Sequence, residues 1–480
     1  MKRSFADILQ GLDSDRAAKV ARKLPEWAAV GAEIPTALAL EQCSSSATAS
    51  YKARVAGQAA AAANLRFAHP SHALQRGPLP LAKPRVATGL PAAPPAPVIG
   101  TVLDLTGGLG VDSWAFAQVA ERVVYFERDV ELAAAAERNF AWLGAANIEV
   151  RCETVTQESE LPEADLIYAD PARRNAAGRK VFLLEDCTPD ILTLLPMLLR
   201  KAPTVLLKLS PMADLAMLAD RLGSALREIH VVEFDGEVKE LLCLLVRDAA
   251  PVEPDIVVVS LSGQAAGFAA RSGQLPPETS FGPHRFASLA VPPLTMPRVA
   301  RFPEAVAADV PQNCLRFRMS EERAAEVRYV AEVRPGDVLL EPCPALLKAG
   351  AFRLPCARWG LQKLAPSTHL YLLPAVPGAK EALSAPGNQF FPSPGAKMPS
   401  SAPGSKFFKA WRVGEVLPFG AAAFRELRKR YPKADVTSRN MPLGSAELQK
   451  KIGIAPGGDV HIFACRLADG AAVLIVTTAE

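Results

Sequence analysis

Hydrophobic and polar positions recur along this chain with two periods, and the switches between them lay out its organisation. From residue 4 to 24, Phe5, Ile8, Leu9, Leu12, Ala17, Val20, Ala21 and Leu24 recur at helical spacing until Pro25 ends the pattern. A second helical stretch is predicted from about Ile34 to Asn64. Short apolar runs then alternate with helical ones. Strands are predicted at Val102–Leu105, Val123–Glu127, Ile148–Cys152, Asp165–Asp170 and Thr204–Lys208, with helices at Asp112–Ala120 and Val130–Leu143. Such alternation predicts an α/β fold, a mostly parallel sheet covered by helices on both faces. Glu228–Phe234 and Glu240–Val246 flank Asp235-Gly236 and predict a closing antiparallel hairpin. The sheet would then have seven strands, unlike a six-stranded dinucleotide fold.

The pattern beyond is more broken. Asp255–Ser260 reads as a strand, and a Gly/Pro-rich stretch with little periodicity follows. Order returns with a helix over Ser320–Val333, a strand at Val338–Leu340, a helix near Ala345–Phe352 and a strand at His369–Leu373. The last stretch predicts strand Lys406–Val413, helix Gly420–Tyr431, strand Ala434–Ser438, helix Ser445–Ile452 and strands Asp459–Leu467 and Ala471–Thr477. Proline-dense residues 76–99 and the Pro/Gly/Ser-rich 377–405 read as linkers. The expected domains are therefore an N-terminal helical region (1–75), the α/β domain (100–250) and two small α+β domains (251–376 and 406–480).

Composition narrows the class. Across 480 residues, 49% are hydrophobic and 22% charged, a globular balance, and the net charge of +4 excludes chain-wide polyelectrolyte behaviour. From Lys406 to Glu480, however, 12 Lys or Arg face 7 Asp or Glu, so the positive charge sits at one end. The eight cysteines include no C-x-x-C pair and the six histidines do not flank them at zinc-ligand spacing, which predicts reduced thiols and no metal site. No apolar leader and no run of 18 uncharged apolar residues is present, so no membrane span is expected and a cytoplasmic location is.

The candidate chemistry lies at predicted strand ends. Asp104-Leu-Thr-Gly-Gly-Leu-Gly-Val-Asp112 follows the first strand, with Gly107, Gly108 and Gly110 free to turn sharply. The spacing is not G-x-G-x-x-G, because Thr106 and Val111 stand where glycines would; it fits D-x-x-x-G-x-G, the loop of S-adenosylmethionine enzymes. Glu127, 17 residues after Gly110, ends the second strand, where an acid accepts from ribose hydroxyls. Glu153, after the third strand, is the nearest candidate for an adenine-side acid. The fourth strand ends in Asp170-Pro171-Ala-Arg173-Arg174. A carboxylate beside a proline-fixed turn can hold an exocyclic amine by two hydrogen bonds with its lone pair aimed at a methyl donor. Arg173 and Arg174 are either phosphate-binding groups or an ordinary surface pair. Lys208 ends the fifth strand and would face the same crevice. The polar run Glu41–Arg54, rich in small hydroxyl residues, is either a helix N-cap with its first turn or a lid over the cofactor.

Asp104-Leu-Thr-Gly-Gly-Leu-Gly-Val-Asp-Ser113, Asp170-Pro-Ala-Arg-Arg174, Lys208-Leu-Ser-Pro-Met212 and Glu41-Gln-Cys-Ser-Ser45 together resemble a bacterial family of class I S-adenosylmethionine-dependent methyltransferases. Glu341-Pro-Cys-Pro-Ala-Leu-Leu-Lys-Ala-Gly-Ala-Phe352 resembles that family's ferredoxin-like middle domain, and Ser438-Arg-Asn-Met-Pro442 with Gly457-Gly458 its THUMP-like C-terminal domain. The resemblance covers nearly the whole chain apart from the proline-rich segments. It implies a Rossmann-like seven-stranded sheet, S-adenosyl-L-methionine as cofactor, contacts to it from Asp104, Gly108, Gly110 and Glu127, and Asp170 at the catalytic position. Thr106, Gly107 and Asp112 complete the expected cofactor set, and Pro171, Arg173 and Lys208 the catalytic one. Thr106 departs from the usual glycine and requires a backbone position without positive φ.

THUMP-like domains suggest structured RNA, tRNA or rRNA, and Arg425, Arg428, Lys429, Arg430, Lys433, Arg439, Lys450 and Lys451 supply basic charge, diluted by Glu426 and Glu447. With Arg173 where base-methylating enzymes place an aromatic residue, stacking would come from Tyr168 or Phe182. Uracil-C5 chemistry ranks below N-methylation, since no cysteine follows the fifth strand. A non-catalytic RNA-binding protein with a vestigial site, and a methyltransferase acting on protein or a small molecule, stay open.

Overall fold

The structure, a computed structural model, describes residues 5–67, 99–171, 189–261, 314–373 and 405–479. The chain divides into two compact units, residues 1–208 with 262–308 and residues 209–261 with 309–480. Both proline-rich stretches, and Arg173, Arg174 and Phe182 in the segment after Pro171, lie outside the described residues.

In the first unit, helices α1 (Phe5–Lys23), α2 (Pro25–Ala29), α3 (Ala37–Gln42) and α4 (Ser46–Phe67) precede strand β1 (Ile99–Asp104). The single helix expected over 34–64 is thus two, because Cys43 is extended and the Ser45 and Thr48 side chains each accept from the other's backbone N–H at 3.2 and 3.1 Å. That reciprocal arrangement starts α4 as a capping box does. Then come α5 (Val111–Ala117), β2 (Ala120–Phe126), α6 (Val130–Trp142), β3 (Ile148–Arg151), β4 (Leu166–Ala169), α7 (Ile191–Lys201) and β5 (Thr204–Leu209). The five strands are parallel in the order β3-β2-β1-β4-β5. Val102, Leu103, Val123, Val124, Ile167 and Leu206 have no exposed surface, as expected for strands covered on both faces. Parallel pairing has one consequence for function: it brings the carboxyl ends of all five strands to one edge, where open α/β sheets take their ligands.

In the second unit, α8 (Leu215–Leu222) leads into the antiparallel hairpin β6 (Leu226–Phe234) and β7 (Glu237–Val246). Its two-residue turn has positive φ at both Asp235 (51°) and Gly236 (78°), the geometry for which Asp-Gly is suited. β8 (Asp255–Leu261) pairs parallel with β6, and β9 (Cys314–Phe317), not expected from the sequence, pairs antiparallel with β8. The helix expected over 320–333 ends early: α9 spans Met319–Ala324, and β10 (Arg328–Tyr329) follows. Ala325 is extended, and the chain after it pairs with Gln362 and Lys363 instead of continuing the helix. Within α9, Glu322, 5% exposed, accepts with its carboxylate from the backbone amides of Phe352 (3.0 Å), Arg353 (2.7 Å) and Leu354 (2.8 Å). A polar residue turned inward to satisfy a distant loop cannot be read from helical periodicity.

The remaining elements are β11 (Val338–Pro342), α10 (Pro344–Lys348), α11 (Leu354–Trp359), β12 (Gln362–Ala365), β13 (Thr368–Leu372), β14 (Phe408–Pro418), α12 (Ala421–Arg430), β15 (Asp435–Arg439), α13 (Ser445–Ile452), β16 (Val460–Arg466) and β17 (Ala472–Ala479). They build one eight-stranded sheet in the order β10-β12-β13-β11-β14-β17-β16-β15. Alternation along β16 shows how it is covered. Ile462 and Ala464 pack with Phe424, Leu427, Leu448 and Ile452 of α12 and α13, while Phe463 and Cys465 pack on the other face with Leu339, Leu370 and Trp411. Arg439 on β15 pairs with Glu341 on β11 at 3.0 Å, so the Ser438–Pro442 motif is tied to the Glu341 motif.

Among the described residues no helix is long and apolar enough to cross a membrane, and no group of three or more His, Cys, Asp or Glu is placed to hold a metal ion.

Candidate active site

The site is built from the ends of β1, β2, β4 and β5. After Asp104 the chain turns through Gly107, Gly108 (φ 55°) and Gly110 (φ 89°) into α5. The glycines serve different ends. A Cβ on Gly107 would lie 2.0 Å from the Tyr125 ring, and one on Gly110 2.5 Å from the Phe140 ring, so these two allow the loop to pack onto β2 and α6. A Cβ on Gly108 would meet nothing closer than 3.9 Å, so the loop is open on that side. The Tyr125 hydroxyl donates to Gly108 O at 2.6 Å. Glu127 accepts from Gly108 N with Oε2 (2.8 Å) and from Asp129 N with Oε1 (2.8 Å), which fixes its carboxylate against the loop.

Asp104 is fully buried. Its Oδ2 accepts from Ser113 Oγ at 2.6 Å and its Oδ1 from Thr106 N at 3.1 Å, so it braces the loop from beneath. Burial pushes its carboxyl up to about 7 against those two hydrogen bonds, and the nearby charges of Asp112 and Asp170 add to the rise. Between pH 4 and 7 the folded chain therefore keeps a proton that the unfolded chain has released, so stability falls as pH rises through that window and the cost is complete above 7. The variant Asp104→Asn, whose amide can still pair with the Ser113 hydroxyl, is expected to be the more stable protein at pH 8, by on the order of 2–4 kcal/mol, and no more stable at pH 4. Denaturation of both proteins at the two pH values checks this; a less stable variant at pH 8 would refute it.

Asp112 lies at the start of α5 and is reached from the N-terminal helices. Lys52, with no exposed surface, donates to Ser44 Oγ at 2.9 Å, and Ser44 donates to Asp112 Oδ2 at 2.9 Å. Lys52 Nζ is itself 3.3 Å from Asp112 Oδ1, and the Tyr168 hydroxyl donates to Oδ2 at 2.8 Å. Burial alone would raise the Asp112 carboxyl. The charges of Lys52 and Lys208 and the hydrogen bonds from Tyr168 and Ser44 outweigh it and hold the group below its usual range. The Glu41–Arg54 run thus supplies both a helix cap and a buried polar link to the glycine loop. Sequence patterns signal the cap but not the link, whose partners stand 68 positions apart.

Asp170 sits just past β4, and Pro171 beside it is buried. Its Oδ2 is 2.5 Å from Lys208 Nζ on β5, and its backbone N–H donates to Thr106 Oγ1 at 2.6 Å. Of the expected residues, Asp104, Thr106, Asp170 and Lys208 are therefore joined by one set of bonds, Gly108 and Glu127 by a second, and Asp112 belongs to a third with Ser44, Lys52 and Tyr168. Glu153 is not among them: it is exposed, 4.0 Å from Arg151 Nη1. Tyr168 cannot stack a substrate base as expected, since it is 1% exposed, bonded to Asp112 and packed edge-on against Phe116 at 5.1 Å. Cys243, excluded as a nucleophile from its position, is buried, and its thiol is pushed up to about 12.

The basic residues of the last domain are mostly exposed on α12, α13 and the following turns: Arg425, Arg428, Lys429, Lys433, Lys450 and Lys451. Arg430 is engaged by Glu415 and Glu426, and Arg439 by Glu341.

Comparison with known proteins places this architecture. Residues 339–376 match a family model described as a ferredoxin-like domain, and residues 408–479 one described as THUMP domain-like. The crystal structure of a provisionally named methyltransferase from Porphyromonas gingivalis W83 is similar over 97% of this chain and 88% of that one, at 28% identity and a TM-score of 0.63. A tRNA (m1A58) methyltransferase from Aquifex aeolicus is similar over 32% of this chain and 63% of its own, at 16% identity and a TM-score of 0.25, which establishes no shared fold. No curated protein matches the chain. The chain has the α/β fold of a methyltransferase and carries a ferredoxin-like and a THUMP-like domain.

Proposed function

We propose that this chain is an S-adenosylmethionine-dependent methyltransferase acting on a base nitrogen in structured RNA, tRNA or rRNA. The observation that carries this reading is the hydrogen bond from Asp170 N to Thr106 Oγ1, which joins the glycine loop to Asp170 at one end of a parallel sheet. The open side of Gly108 and the fixed Glu127 carboxylate suit the nucleoside end of such a cofactor, with Glu127 accepting from ribose hydroxyls. Asp104, with no exposed surface, acts from beneath by bracing Thr106 and Ser113. When bound, the cofactor supplies an electrophilic methyl group.

The remaining chemistry belongs to the protein. Asp170 accepts from the target amine with the oxygen that Lys208 does not occupy, and a main-chain carbonyl of the turn accepts the second N–H. The lone pair of that nitrogen is thereby aimed, and positioning of this kind can supply most of the acceleration of an in-line transfer. Lys208 orients Asp170 through their contact, and the proton lost by the methylated nitrogen leaves through Asp170 Oδ1. The exposed cations of α12 and α13 hold RNA by its phosphates without reading sequence.

The deciding experiment is mass spectrometry of nucleosides from the RNA of cells lacking the gene. Loss of one methylated nucleoside, restored by the wild-type gene, is the expected result. An unchanged spectrum together with failure to bind RNA at low salt would instead favour a protein or small-molecule substrate.

A further inference from the structure

Thr106 stands in the glycine loop where a glycine would serve the turn equally well. Its backbone does not need one: among the described residues other than glycine, positive φ occurs only at Asp235, Asp248 and Asn440. The side chain has a different task. β1 and β4 pair in parallel up to Asp104 opposite Tyr168, and Leu105 N donates to Tyr168 O at 3.0 Å as the last main-chain bond between them. Past that point the two chains part, β1 into the glycine loop and β4 into the Asp170-Pro171 segment. Among the described residues no main-chain carbonyl accepts from Asp170 N, and a donor in such a place needs an acceptor. Thr106 Oγ1 provides it at 2.6 Å and so continues the ladder with a side chain.

We infer that Thr106 is a positioning residue for the acceptor side of the reaction, rather than a cofactor contact. This rests on the reading of Asp170 as the residue that binds the target amine. Asp170 is then held at both ends, its main chain by Thr106 and its carboxylate by Lys208, while Pro171 restricts the bond that follows. Thr106 N is in turn held by Asp104 Oδ1. A single continuous set of bonds therefore runs from the base of the donor loop to the acceptor carboxylate, and the distance between donor and acceptor is set by a hydroxyl. A hydroxyl-bearing side chain is needed there. Serine suffices, and valine, equal in shape but without an acceptor, does not.

The test compares Thr106→Val and Thr106→Ser with the wild type, using radiolabelled S-adenosylmethionine and total RNA from cells lacking the gene. Thr106→Val is expected to lose about 10- to 100-fold in turnover at saturating cofactor, the effect of a small misplacement of a reacting group. Its cofactor affinity, measured by calorimetry, stays within about threefold, since no bond to the cofactor is removed. The Asp170 amide, protected from hydrogen exchange in the wild type, exchanges about tenfold faster in the valine variant, as loss of one hydrogen bond allows. Thr106→Ser restores turnover and protection. Wild-type turnover and protection in Thr106→Val would overturn the inference, as would a loss confined to cofactor affinity with turnover intact at saturation. If the wild type itself transfers no methyl group to that RNA, the RNA reading fails, and the exchange comparison alone decides whether Thr106 holds Asp170.

Discussion

Asp170→Asn is expected to lower methyl transfer to RNA by about 10³-fold while cofactor affinity changes little, because the lost group orients the acceptor and not the donor. Asparagine keeps the shape of the side chain and the backbone bond to Thr106, but replaces one acceptor oxygen with a donor and removes the charge opposite Lys208. Two effects then add. The target amine meets an NH₂ group where it needs an acceptor, and the Lys208 ammonium, 12% exposed, no longer has Asp170 as its anionic partner. The second effect costs some stability, so the variant's thermal transition has to be compared with the wild type. A folded variant with normal cofactor binding and no transfer is the expected outcome. Turnover within tenfold of wild type would remove Asp170 from the chemistry.

Glu127→Ala is the complementary case. Its carboxylate accepts from Gly108 N and Asp129 N, and alanine leaves both amides without that acceptor as well as removing the proposed ribose contact. Charge-assisted bonds of this kind contribute roughly 1.5–3 kcal/mol each, so the dissociation constant for S-adenosylmethionine is expected to rise about 100-fold. Glu127→Gln, which retains one acceptor oxygen, should fall between. Because the damage is to donor binding, turnover at saturating cofactor should largely recover, which separates this variant from Asp170→Asn. Calorimetry that finds the affinity of Glu127→Ala within threefold of wild type would show that Glu127 serves only to shape the loop.

Both positions, at the ends of β2 and β4, were legible in the sequence for the same reason. Each ends a predicted strand, and a parallel sheet gathers such ends at one edge whatever the details of packing. The glycine loop was legible because its signal is local: a strand, a run of glycines and a helix start within a dozen positions. The hairpin at Asp235-Gly236 was local too, its turn demanding two residues that tolerate positive φ. The misreadings share the opposite character. Tyr168 was open to a stacking role because an aromatic residue near a strand end carries no sign of whether it faces the ligand edge or the core. The helix over 320–333 was overextended because the chain leaves it at Ala325 to pair with residues some thirty positions on, which periodicity does not show.

The sequence by itself determined the α/β alternation, the glycine loop after β1 and the strand-end positions of Glu127 and Asp170, all written in neighbouring residues or in periodicity. Only the tertiary structure decided how these parts are joined. The bond between Thr106 and Asp170 spans 64 positions, and the path from Lys52 through Ser44 to Asp112 links the N-terminal helices to the same loop. Those contacts depend on β1 lying beside β4 and on where α4 meets α5. A hydroxyl or a carboxylate has no spacing rule that names its partner; the strand order supplies it.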